Sequence, residues 1–108
     1  MSTISKIKDK AHQLIHQNTN KRGGTKLLVR ARELQNTDKI VRTYTTRKGH
    51  ELAEIRGSNG ELYEVWFYLS GRVYCQCSFF NGLDPIERQQ VGCKHVLAQA
   101  LMLLDRVS

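Results

Sequence analysis

A chain of 108 residues can build one compact domain but is short for two of ordinary size. Its hydrophobic content of 40% and aromatic content of 7% give a thin core, which a metal ion or a disulfide commonly reinforces. The net charge of +7 is divided unevenly, with +9 in residues 1–50 and −2 in residues 51–108.

No run approaches the roughly 18 apolar residues that a membrane-spanning helix needs. The opening Met-Ser-Thr-Ile-Ser-Lys lacks the apolar stretch of a signal peptide. The sequence therefore reads as that of a soluble intracellular protein, cytoplasmic or in a nucleoid or nucleus, with no membrane partner. In that reducing setting an odd count of three cysteines favours metal binding over disulfides.

Ile4, Ile7, Ala11, Leu14 and Ile15 recur at helical spacing and predict an amphipathic helix over 4–15. His12 and His16 fall one turn apart on it, with no acidic or thiol partner nearby, and read as solvent-facing. Residues 18–24, Asn-Thr-Asn-Lys-Arg-Gly-Gly, are dense in turn formers and read as a mobile basic loop. Residues 1–24 thus form an N-terminal amphipathic helix and basic loop ahead of a domain spanning 25–108. Leu27, Leu28, Ala31 and Leu34 predict a second helix over 25–34.

The β-branched run Ile40 to Thr46 predicts a strand, and Leu52 to Arg56 returns beside it after the turn at Arg47-Lys48-Gly49. Gly57-Ser58-Asn59-Gly60 contains Asn-Gly, the signal of a type I′ hairpin turn. From Tyr63 to Leu69, Tyr63, Val65, Phe67 and Leu69 face one way and Glu64, Trp66 and Tyr68 the other. Trp66 and Tyr68 suit either an exposed stacking surface or packing beneath a helix, and the pattern leaves both open. Ser70-Gly71 turns the chain into Arg72 to Cys77, completing a four-stranded antiparallel meander. Asp84-Pro85-Ile86-Glu87 carries the cap, proline and glutamate of a helix start, and Gly92 ends that helix. Val96, Leu97, Ala100, Leu101, Leu103 and Leu104 make the apolar face of a last helix over 94–106. The fold class is α+β: two N-terminal helices, the meander and a C-terminal helix.

Cys75 and Cys77 alternate onto one face of a strand end and form a chelating pair. Cys93 and His95 have the same spacing, which a continuous helix would splay by about 200°. A turn at Gly92 lets Cys93 precede the helix while His95 projects from its first turn. Three thiolates and one imidazole suit one structural Zn²⁺ in a closed tetrahedral site. Cu(I) and an iron–sulfur cluster share the softness but fit the lone histidine and the pairwise spacing less well. The donors carry about −3 against +2, and Lys94 and Arg72 are placed in sequence to soften the residual charge. A thiol-hydrolase reading of the same residues requires a free, poised thiol, whereas here one metal employs all three. The module is read as no enzyme.

The pattern Cys-x-Cys, fifteen residues, Cys-x-His resembles the SWIM zinc finger, named for chromatin-remodelling ATPases and Mutator-type transposases. Its flanks add to the likeness: Arg32 through Lys39, Ile55-Arg56-Gly57-Ser58 before Tyr63-Glu64-Val65, and Cys93-Lys94-His95-Val96-Leu97-Ala98. The resemblance covers about Ala31 to Leu104 and implies a ββα zinc domain that binds DNA or protein, here in a small, free-standing form.

The basic N-terminal half points to an anionic partner, first nucleic acid, with DNA ahead of RNA and weak sequence specificity. Lys21, Arg22, Lys26, Arg30, Arg32, Arg47 and Lys48 are the candidate phosphate contacts. The competing reading is an adaptor that docks on a larger nucleic-acid-processing complex or on its own copy. Trp66, Tyr68 or the apolar face around Leu101 to Leu104 would supply its surface.

Overall fold

The computed structural model describes residues 3–21 and 23–105, with side chains from Lys6 onward; Arg22, Arg106 and the Ile4 side chain lie outside the described residues. In chain order the elements are α1 (Thr3–Asn20), α2 (Gly24–Asn36), β1 (Ile40–Thr45), β2 (Glu51–Arg56), β3 (Leu62–Phe67), β4 (Val73–Cys75), α3 (Ser78–Gly82), α4 (Pro85–Gln90) and α5 (Lys94–Asp105). The α+β class and the antiparallel meander, with strand order β1-β2-β3-β4, are as the sequence implies.

The three hairpins are built alike. Thr46 N–H bonds to His50 O, Gly57 N–H to Glu61 O and Tyr68 N–H to Arg72 O. In each, the fourth residue is a glycine at positive φ: Gly49, Gly60 and Gly71. The Asn-Gly signal therefore marks a real hairpin but not a type I′ turn. Asn59 keeps negative φ, and Gly60 alone takes the left-handed conformation that lets the strands resume their pairing.

Ala53, Ile55, Val65, Phe67, Val73 and Cys75 face the core. Against them lies α5, with α1 and α2 on its far side. Val96, Leu97, Ala98, Ala100, Leu101 and Leu103 are all buried, since a helix packed on both sides needs apolar residues nearly all round. This removes the Leu101 to Leu104 face as a docking surface: Leu101 and Leu103 belong to the core, and Leu104 packs against it.

Residues 18–20 are the last turn of α1, not the start of a mobile loop. Asn18 is fully buried and donates to Leu14 O and Val91 O, both at 2.9 Å, tying α1 to the segment after α4. Thr19 and Asn20 bond back to Ile15 O and His16 O. These polar side chains share carbonyls that the helix already uses, so their own polar groups are satisfied within the last turns of α1. Gly24 packs so closely on the Asn18 carbonyl that no side chain fits there. Ile7, Ala11 and Leu14 of α1 consequently enter the same core as α2, the sheet and α5.

The outer face of the sheet carries a row across all four strands: Tyr44 opposite Leu52, Leu52 opposite Trp66 and Trp66 opposite Tyr74. Trp66 and Tyr68 stack at 5.5 Å between ring centroids, and His50 meets Tyr68 edge-on at 5.2 Å. Packing beneath the first or second helix is therefore not their arrangement. At the β4 edge the Gln89 amide accepts from Val73 N–H at 2.8 Å and donates to Val73 O at 2.9 Å, occupying ladder positions a further strand would use.

Candidate metal centre

Four elements converge on the site. Cys75 ends β4, and Cys77 follows as the N-cap of α3, where its Sγ accepts from Phe80 N–H at 3.4 Å. Cys77 thus leaves the strand that the sequence had extended to include it. The helical turn α3 was also absent from the expected elements, since five residues are too few to show periodicity. The helix beginning at Pro85 is present, with Asp84 capping Glu87 N–H at 2.8 Å. Gly92, at φ 73°, then reverses the chain. Cys93 precedes α5, accepting the Leu97 N–H at its carbonyl, and His95 projects from the first turn.

The donor atoms of Cys75, Cys77, Cys93 and His95 all lie within 4.8 Å of one another, and all four residues are buried. His95 Nδ1 is 3.8 Å from both Cys75 Sγ and Cys93 Sγ. Zn–S bonds near 2.3 Å and Zn–N bonds near 2.0 Å at tetrahedral angles place neighbouring donors about 3.5 to 3.8 Å apart. The separations therefore suit a tetrahedral ion, and the three cysteines are free of disulfides. The four residues can hold one metal ion.

The three thiols strongly perturb one another. Hydrogen bonds with Cys75 and then Cys93 hold Cys77 far below the ordinary thiol range. The bond to Cys77 is the main cause that pushes Cys75 up to about 12. Burial first, then the bonds to Cys75 and Cys77, pushes Cys93 up as well. Three buried thiols this close oppose one another's ionisation, and a bound cation would offset the charge of their thiolates.

Side chains that the motif did not reveal hold the ligands in place. Asn81 donates to Cys75 O at 3.1 Å and Cys77 O at 2.9 Å, closing the turn that carries both thiols. Arg88 donates to Phe80 O and Asn81 O, fastening α3 to α4. Tyr63 packs against the His95 ring at 5.2 Å; the buried His95 Nε2 has no hydrogen-bond partner, so packing sets the ring's orientation. An asparagine four residues after Cys77 was the available signal. Asparagine is so common in turns that it did not stand out.

No protein family, curated protein or solved structure matches this chain. The chemistry of the donors and the surface around them are therefore the basis for reading its role. That surface is a cavity of about 260 Å³ over Cys77, Cys93 and His95, which Arg30 and Lys94 also line. Arg72, expected to share the compensation of charge, lies instead at the β3–β4 turn. There, burial first and the Arg72 charge second lower the Lys10 pKa.

The candidate phosphate contacts do not form one patch. Lys21, Lys26 and Arg30 line a second cavity of about 260 Å³ that adjoins the first. Arg32, two residues further along α2, points away and meets Asp105 at 3.4 Å. Arg47 and Lys48 occupy the β1–β2 turn, whereas the metal centre lies at the end of the sheet marked by the β2–β3 turn. Arg22 lies outside the described residues. His12 and His16 are exposed, as anticipated. Among the described residues, no helix is long and apolar enough to cross a membrane.

Proposed function

We propose that this chain is a SWIM-like zinc module in which one structural Zn²⁺ shapes a surface that binds nucleic acid, DNA ahead of RNA, through phosphate contacts. Its role is binding and not catalysis. When bound, the ion neutralises the thiolates and fixes the two pairs of ligands to each other; Cys75, Cys77, Cys93 and His95 would hold it. The observation that supports the nucleic-acid reading best is the adjacency of Lys21, Lys26 and Arg30 to the metal centre, in cavities that share Arg30.

Such contacts position a polyanion without reading bases, so specificity is expected to be weak. The test is an equilibrium binding series against single-stranded and duplex probes, starting at about 50 mM salt. Binding that weakens steadily with salt supports the reading. Absence of any binding at the lowest salt removes it.

The outer face of the sheet favours a second reading, as a protein adaptor or self-associating module. Tyr44 and Tyr74 are each 38% exposed there, on either side of Leu52 and Trp66. Aromatic rows of this kind anchor protein partners. A nuclease-resistant partner together with no nucleic-acid binding would select this alternative.

A further inference from the structure

We infer that the basic surface over the metal centre is a track for a single nucleic-acid strand, on which Phe79 stacks a base; this rests on the nucleic-acid reading above. Three cavities of about 260, 260 and 350 Å³ share walls. Leu27, Arg30 and Phe79 line both the first and the second, and Arg30, Ser58 and Lys94 line both the first and the third. The shared walls make one groove along α2, with Arg30 at its middle. It starts at the α1–α2 corner, crosses the thiols and ends beside Lys39 and Arg56.

Six cations line it, namely Lys21, Lys26, Arg30, Lys39, Arg56 and Lys94, against two acids, Glu33 and Glu87. These side chains sum to +4, or about +3 once the residual −1 of a zinc-loaded Cys3His centre is counted, with Lys21 and Glu87 at 4.0 Å from each other. Three of the six cations, Lys39, Arg56 and Lys94, were not among the sequence candidates, because the fold brings them in from separate segments.

Phe79 distinguishes a single strand from a duplex. Its neighbour Phe80 is 1% exposed and serves the core, whereas Phe79 is 54% exposed and lines two of the three cavities. An exposed ring in a cationic groove is the pairing of features that binds unpaired strands: cations follow the backbone while an aromatic face stacks a base. Duplex DNA is read by elements that project into its grooves. This surface is concave instead, walled by α2 on one side and by α3 and the β2–β3 turn on the other. The metal ligands position both components, since Phe79 lies two residues after Cys77 and Lys94 lies between Cys93 and His95.

The test uses the zinc-loaded full chain and fluorescence anisotropy with oligo-dT, oligo-rU and a duplex, each about 12 nucleotides long. One or both single strands are expected to bind more tightly than the duplex at equal salt, and the dT and rU arms separate DNA from RNA. Phe79→Ala should weaken single-strand binding by about 5- to 150-fold, the span of one base stack, and leave duplex binding unchanged. Phe79→Tyr should retain most of the affinity. Ile86→Ala removes another exposed apolar side chain, 66% exposed and not one of those lining the three cavities, and should change nothing. Melting curves for each variant separate a binding defect from a folding one. Duplex binding as tight as single-strand binding, or a Phe79→Ala variant that binds like the wild type, overturns the single-strand track while leaving nucleic-acid binding standing. No binding to any of the three probes overturns both.

Discussion

Gly24→Ala gives a sharp test of how the N-terminal segment is joined to the rest. Taken alone, alanine in a helix is favoured over glycine by about 1 kcal/mol. If residues 18–24 were a flexible connector, the substitution would be neutral or would stabilise by about 0.4 to 1 kcal/mol through the unfolded chain. In this structure a Cβ on Gly24 would collide with the Asn18 backbone carbonyl, which cannot rotate away as a side chain can. Overpacking costs about 1 to 3 kcal/mol. Displacing Asn18 would also strain its bonds to Leu14 O and Val91 O, each worth about 1 kcal/mol. After subtracting the helix gain, a net loss of about 2 to 4 kcal/mol remains, or a fall of roughly 10 to 20 °C in melting temperature for a domain near this size. Gly23→Ala is the control: its φ is +84° but its Cβ would meet nothing within 4 Å, so only about 1 kcal/mol of backbone strain is expected. Thermal unfolding of both variants followed by circular dichroism decides the matter. A Gly24→Ala protein that melts at or above the wild-type temperature would refute the close α1–α2 contact.

Cys77→Ser and His95→Ala should each lose zinc and the cooperative melt, because truncating one ligand leaves buried thiolates under-compensated; zinc content and calorimetry check this. Asn81→Ala keeps all four ligands but frees the turn that carries two of them, and should lower zinc affinity by about 10- to 100-fold in a chelator competition. Gln89→Ala should destabilise by about 1 to 3 kcal/mol in urea melts and leave zinc content unchanged, since it strips the Val73 backbone groups of their partner. If four to six groove cations meet phosphates, log K for a single strand should fall against log salt with a slope of about −3 to −4. Neutralising Lys26 and Arg30 together should make that slope shallower by about 1.4.

The metal cluster could be read from sequence because the Cys-x-Cys and Cys-x-His spacings encode local geometry: an extended pair on one side, a turn before a helix on the other. The meander was legible for a similar reason. Alternation from Tyr63 to Phe67 and a glycine in each turn are short-range signals that the tertiary fold did not override. Asn18 and Gly24 misled because their residue types are common in loops, and only the packing of α1 on α2 shows them buried. Arg47 and Lys48 illustrate the limit for charge. Sequence counts cations in the N-terminal half, but the hairpin carries these two to the far end of the sheet while Lys39, Arg56 and Lys94 join the groove. The Leu101 to Leu104 face could not be judged exposed or buried until α5 was seen packed between the sheet and the first two helices.

We propose that one zinc ion, held by Cys75, Cys77, Cys93 and His95, makes this fold stable. A structural zinc site is worth about 10 to 16 kcal/mol at neutral pH, comparable to or above the whole stability of an ordinary domain, about 5 to 15 kcal/mol. The most direct measurement combines elemental analysis of protein purified without added metal with calorimetry before and after a strong chelator. One zinc per chain and a cooperative transition that vanishes on chelation, then returns with zinc, is the predicted result. A metal-free chain that unfolds cooperatively at the same temperature would contradict it.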